Sequence, residues 1–232
     1  MAAELRETQI YLIRHAQSRP NVEPIIGGMK GDTGLTDVGR LQAARLGERL
    51  QGGDIAPDFL YSSTLPRAKE TVEYVGSALG LPVEFDDDLQ ELRPGECDGM
   101  TWDDYVARYG RYDFRNPYRP MSPGGEAWAD FLVRVGRTLT RMRIEHEGKT
   151  IVAVTHGGFI DGAVYQFMGV GNTYGIGFRT LNASITHWQY GPGDYGRPPR
   201  WVLASYNDAA HIGDLLTPPE PAVPLPTEDD KG

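Results

Sequence analysis

Two apolar runs end on a histidine: IYLIRHAQS at residues 10 to 18, and TIVAVTHGG at residues 150 to 158. Arg14 stands directly before His15, and Thr155 before His156. A third segment, YSSTLPRAKET at 61 to 71, follows another short apolar run and carries Ser63 and Arg67. Guanidinium groups are planar forks of donors that match phosphate oxygens, and helix amino ends add further N–H groups. This set suits a tetrahedral oxyanion rather than a metal, because arginines pressed against a cation would oppose its binding. A histidine held there can attack phosphorus through one ring nitrogen while the other acts as a donor. Neighbouring arginines disfavour the imidazolium and so favour the reactive neutral ring.

Such an attack leaves an alkoxide that needs a proton. The stretch LQELRPGECDGM at 89 to 100 offers Glu91, Glu96 and Asp98, and the residues alone do not choose among them. A carboxyl group facing a dianionic phosphate keeps its proton more readily, and its delivery in the transition state is worth about 10²–10⁴-fold. Asn21 is a further polar candidate in the loop after the first strand. Gly157 and Gly158 imply a close backbone approach beside His156. His146 and His187 read as structural or exposed, whereas His211 is a candidate to close the chain's end over a pocket. GKT at 148 to 150 precedes its strand and lacks the earlier glycine of a phosphate loop. Serine-hydrolase elbow, zincin, paired-cysteine and dinucleotide glycine motifs do not occur.

The elements that must position these groups follow from periodicity. Residues 10–13 read as a buried strand, 57–63 as a second, 150–155 as another, and 184–190 and 200–207 as two more. Helices are expected from Thr36 to about Leu50, with Leu41, Ala44, Leu46 and Leu50 on its apolar face, and from Pro66 to Gly80. Others are expected over 102–112, from Glu126 to Glu147, and up to Gly169. Residues 16–35 contain four glycines and two prolines and are expected to form a long mobile loop. Strands alternating with helices imply an α/β fold with a mainly parallel sheet, whose strand ends at one edge would gather Arg14, His15, Ser63, Arg67 and His156.

Composition narrows the partners. The formal charge is −9 and the sequence pI near 5.0, and no local basic stripe offsets it, so nucleic acid and anionic membranes are not expected as partners. Cys97 is the single cysteine, which leaves no intrachain disulfide and fits a reducing compartment. No apolar stretch resembles a signal peptide or a membrane span, so a cytoplasmic location is expected and the sequon at Asn182 to Ser184 reads as chance. A chain of 232 residues fits one domain, expected over residues 1–215, followed by an acidic, proline-rich and disordered tail over 216–232.

LIRHAQSRPN, YSSTLPRAKET, LQELRPGECDGM and VAVTHGG, in this order, resemble the four motifs of the histidine phosphatase superfamily, which includes the cofactor-dependent phosphoglycerate mutases. The resemblance spans roughly residues 10 to 212. It implies a three-layer α/β/α sandwich with a mixed, mainly parallel sheet. It makes His15 the residue that is phosphorylated, and Arg14, Arg67 and His156 the clamp on the anion. Glu91 takes the proton donor's position, Asn21 a further substrate contact, and Ser63 a supporting one. The resemblance implies no cofactor and no metal. Two departures are Ala16, where the signature usually has glycine, and Ala127, where serine is frequent.

ECDGMTWDDY at 96 to 105 resembles the phosphatase branch more than the mutases. The following segment, with Arg111, Arg115 and Arg119, is shorter than the basic insertion of mutases, though its arginines are candidates to recognise a second charged group. The expectation is a metal-independent phosphomonoesterase acting on a small phosphorylated metabolite. Mutase-type phosphoryl transfer and a catalytically inactive phospho-ligand-binding or scaffold role are the alternatives. Oligomeric state is left open, a homodimer included.

Overall fold

Alternation along the central strands assigns their residues to two different cores. In β1 (Thr8–Arg14) Ile10 and Leu12 join one buried cluster and Ile13 another. In β4 (Thr150–Thr155) Ile151 and Ala153 join the first, Val152 and Val154 the second. Strands that are apolar on both faces need cover on both, which is the condition for parallel pairing in a layered fold. With β2 (Phe59–Ser63), β3 (Val83–Asp86), β5 (Ile185–Gly191) and β6 (Arg200–Asp208), they form a six-stranded sheet ordered β3-β2-β4-β1-β5-β6. β3, β2, β4 and β1 are mutually parallel, while β5 runs antiparallel to β1 and β6 to β5. The computed structural model describes residues 6–113, 115–171, 177–193, 195 and 197–216.

Helices α2 (Asp37–Gln51) and α3 (Pro66–Leu79) cover one face, with Leu46, Leu50, Val72 and Val75 in its core. Helices α5 (Trp128–Glu145) and α6 (Gly157–Met168) cover the other, with Phe131, Leu139, Phe159 and Ile160. The architecture is the expected three-layer α/β/α sandwich with a mixed, mainly parallel sheet. Local chemistry sets the helix ends. Thr36 caps α2 by accepting from the Gly39 N–H, Pro66 opens α3, and Gly80 ends it in the left-handed region at φ 65°.

The apolar face expected for α2 holds at Leu46 and Leu50 and fails at its start. Leu41 is exposed, and Gln42 is fully buried in its stead. Gln42 Oε1 accepts from the Gln17 N–H, and its Nε2 donates to the Leu215 carbonyl. A buried polar residue satisfied on both sides is invisible to a count of apolar positions.

Residues 16–35 also differ from the loose loop expected. They include a short helix, α1 (Arg19–Val22), and β-bridges that join Ser18 to Leu35 and Ile25 to Thr101. Asp98 accepts hydrogen bonds from the backbone N–H groups of Gly28, Lys30 and Gly31 at 2.8–2.9 Å. The loop is therefore fastened to the acid segment and to α4 (Trp102–Tyr109), where Ile26, Cys97, Tyr105 and Tyr112 form a third small core. Of the acidic tail expected over 216–232, residues 217–232 lie outside the described residues. Among the described residues no helix is long and apolar enough to cross a membrane.

Candidate active site

β1, β2 and β4 are adjacent and parallel, so their carboxyl ends share one edge of the sheet. Arg14 is the last residue of β1, Ser63 the last of β2, and His156 follows β4. Arg67 lies in the first turn of α3 and crosses to the same point.

His15 is buried, and its two ring nitrogens have different partners. Nδ1 lies 2.7 Å from the Ala16 carbonyl, and Nε2 3.0 Å from Arg67 Nε. A carbonyl can only accept and a guanidinium can only donate, so Nδ1 carries the proton and Nε2 the lone pair. Burial first, then the charges of Arg67 and Arg14, hold the His15 pKa well below its ordinary 6.5. The ring is thus the neutral tautomer with its lone-pair nitrogen turned towards Arg67.

Arg67 is itself fixed from the other side. Its Nη1 donates to Asp32 Oδ2 at 2.9 Å and to the Gly27 carbonyl at 3.0 Å, and its backbone N–H donates to the same Asp32 oxygen. Both side chains of this ion pair are almost fully buried. Arg14 donates through Nη1 to the Thr180 carbonyl and passes closely over Gly157, where an added Cβ would come within 3.3 Å of the guanidinium.

His156 stands behind His15, with ring centroids 5.1 Å apart. Its Nε2 is 2.7 Å from the Ser63 hydroxyl, and its buried Nδ1 has no hydrogen-bond partner among the described residues. Burial first, then Arg67, His15 and Arg14, lower its pKa well below 6.5.

Glu91 accepts from the Leu92 N–H and from the Gly158 N–H, each at 2.9 Å. A Cβ on Gly158 would overlap this carboxylate, so the expected close approach at the glycine pair is used on both residues. Asn21 Oδ1 accepts from the Ser18 N–H and hydroxyl and from Asn182 Nδ2. Arg14, His15, Asn21, Arg67 and Glu91 line one cavity of about 290 Å³.

Other candidates separate from this group. Glu96 is exposed and 3.6 Å from Arg108, and Asp98 fastens the loop, so of the three acids only Glu91 lines this cavity. Arg111, Arg115 and Arg119 do not line it either; Arg115 pairs with Asp113, and Arg119 donates to the Tyr109 carbonyl. His211 does not close over the cavity: its Nε2 bonds to the Ala183 carbonyl and its Nδ1 to Arg49. His146 has the structural role expected, bonded to Tyr61 and stacked on Phe59. Ala16 has no left-handed φ, so its methyl group is tolerated there. Ala127 leaves the amino end of α5 without a side-chain cap.

Three residues escaped the sequence reading. Asp32 gave no signal in its polar loop. Arg134 is one of many arginines on α5, yet it is buried, pairs with Glu126 at 2.7 Å, and donates to the carbonyls of Asp88, Gln90 and Glu91. Asn182, noticed only within the sequon, donates to the His15 carbonyl at 3.2 Å as well as to Asn21.

A neutral histidine between two arginines, beside a carboxylate, at the carboxyl edge of a three-layer sandwich is the equipment of phosphoryl transfer through histidine. The family model of the histidine phosphatase superfamily (branch 1) matches residues 10–208, and the chain belongs to that family. It is 29% identical over 209 residues to phosphoglycerate mutase-like protein 4 of Arabidopsis thaliana, covering 88% of this chain and 86% of that one. Among solved structures it is similar to a mycobacterial glucosyl-3-phosphoglycerate phosphatase, with 26% identity and a TM-score of 0.73 over 88% of this chain and 100% of the other. Entamoeba histolytica phosphoserine phosphatase in complex with 3-phosphoglyceric acid aligns at 25% identity and a TM-score of 0.72, covering 88% and 99%.

Proposed function

We propose that this chain hydrolyses phosphomonoesters through a phosphohistidine formed on His15 Nε2, without a metal. The observation that carries this reading is the protonation of His15, with Nδ1–H held by Ala16 and the Nε2 lone pair facing Arg67. Arg14 and Arg67 supply the positive charge that grips the phosphoryl oxygens. On substrate binding the Arg67 Nε–H passes from His15 Nε2 to a phosphoryl oxygen, which frees the lone pair for in-line attack. The Ser63 hydroxyl donates a hydrogen bond to His156 Nε2, which keeps the ring proton on Nδ1 as a further donor to the anion.

As the N–P bond forms, the ester O–P bond breaks, and protonated Glu91 gives its proton to the departing oxygen. Water then attacks phosphorus, its proton goes to Glu91, and the N–P bond breaks to release inorganic phosphate. Asn21 is a substrate contact at the wall. The mutase alternative needs a second anion subsite, but Arg14 and Arg67 are the cations lining this cavity among the described residues. That favours hydrolysis, despite the mutase-like names among relatives.

The test is turnover of an aryl phosphate in the presence of chelator, with acid-labile phosphate trapped on the protein. His15→Ala should abolish both the trapped phosphate and turnover. Isomerisation of 3-phosphoglycerate primed by a bisphosphorylated compound, without phosphate release, would replace this reading with the mutase one. Ligand association with neither reaction would replace it with the scaffold one.

A further inference from the structure

Away from Arg14, His15 and Arg67, the cavity walls change character. Ile25 and Ile26 come from the fastened loop, Trp102 from the start of α4 hydrogen-bonded beside it, Leu92 from the acid segment, and Met121 and Trp128 from the residues leading into α5. Trp102 and Trp128 are the first residues of α4 and α5. Each ring is braced, Trp102 edge-on to Tyr105 with centroids 5.7 Å apart and Trp128 against Phe131 at 5.3 Å. Braced rings have little freedom left to lose when a ligand packs on them, so their apolar surface counts nearly in full.

The charges point the same way. Beyond Arg14 and Arg67, the charged residues lining the cavity are Glu23 and Glu91. Glu23 pairs with Arg19 at 3.2 Å, both partly exposed, and Arg19 itself is not among the lining residues. A leaving group bearing a carboxylate or a second phosphate would meet apolar walls and the Glu23 carboxylate, with no cation among the lining residues beyond the phosphate clamp to offset its lost hydration.

Resting on the phosphatase reading above, we infer that the leaving group of the substrate is uncharged and apolar. The substrate class is a monophosphate ester of a hydrophobic alcohol or phenol. The volume of about 290 Å³ stands at the lower end of ligand cavities, which run from about 300 to 1,000 Å³, and fits one or two rings or a short branched chain beside the phosphate. The phosphoryl end fixes the ester, and the Trp102 and Trp128 wall selects what it is attached to.

Phosphate release from the full chain should be compared on 1-naphthyl phosphate, phosphoserine and 3-phosphoglycerate. The naphthyl ester should lead in kcat/KM by about tenfold or more, the scale at which hydrophobic pockets discriminate. Trp102→Ala should reduce that ratio, and Met121→Arg, which adds a cation to the wall, should shift it towards 3-phosphoglycerate. Circular dichroism and the melting temperature establish that each variant is folded; Met121→Arg carries the test should Trp102→Ala prove unstable. A wild-type preference for phosphoserine or 3-phosphoglycerate overturns this inference and leaves the phosphatase reading intact, as does a ratio unmoved in both folded variants. Absence of phosphate release from every ester overturns the phosphatase reading, and this inference with it.

Discussion

Arg67 Nε donates to His15 Nε2 at 3.0 Å, so the cation that would hold phosphate also marks the nitrogen that would attack it. The orientation of Arg67 depends in turn on Asp32, whose carboxylate is wholly buried. Asp32→Ala should destabilise the fold by about 3–5 kcal/mol, the usual cost of leaving one member of a buried ion pair alone. Urea titration checks this. A loss below about 1 kcal/mol, on the scale of an exposed pair, would refute a buried anchoring role.

The two histidines give a pH dependence of defined sign. Their pKa values are lowered well below 6.5 in the folded chain, chiefly by burial and then by Arg67. Below about pH 6.5 the unfolded chain takes up protons at these positions while the folded chain does not. Their contribution is therefore fully present above that pH and is lost as pH falls towards the folded values. The urea midpoint should drop between pH 7.5 and 5.5, with a shallower drop in a His15→Gln, His156→Gln double variant. Equal slopes would rule out this linkage.

Glu91→Gln should slow cleavage of alkyl phosphates by about 10²–10⁴-fold, because their alkoxides need a proton as they depart. Nitrophenyl phosphate, whose phenolate leaves readily without one, should lose far less. A uniform loss across leaving groups would deny Glu91 the donor role.

Gly158→Ala tests the same carboxylate by steric means. The added methyl group displaces the Glu91 side chain, whose flexible end can yield. Activity should fall with only a small change in melting temperature. Full activity would imply that the position of Glu91 does not matter.

Asp98→Ala should raise hydrogen exchange at Gly28, Lys30 and Gly31, since one carboxylate accepts from all three. KM should rise, because this loop carries Ile25, Ile26 and Gly27 of the cavity wall. Unchanged exchange at these amides would contradict the fastening role.

The sequence made much of the site legible for a physical reason. His15, Arg67 and His156 each lie just beyond a strand, and three adjacent parallel strands deliver their ends to one edge whatever the loops between them do. Glu91 was narrowed only to three acids by chemistry; its separation from Asp98 depends on which carboxylate meets the loop's backbone N–H groups. Asp32 and Arg134 stayed hidden because buried ion pairs join residues far apart in sequence, in segments that otherwise read as polar loop and helix surface. The loop of 16–35 was misread for a related reason: glycines signal turns but say nothing of an acceptor elsewhere that secures them.

Arg14 and Thr155 are register partners, so His15 and His156 step off neighbouring strands at the same rung. Parallel strands lie about 4.8 Å apart, and the two imidazole centroids are separated by 5.1 Å. The distance between the rings is thus inherited from the pitch of the backbone ladder. Insertions in the surrounding connections can reshape what enters without altering that ruler.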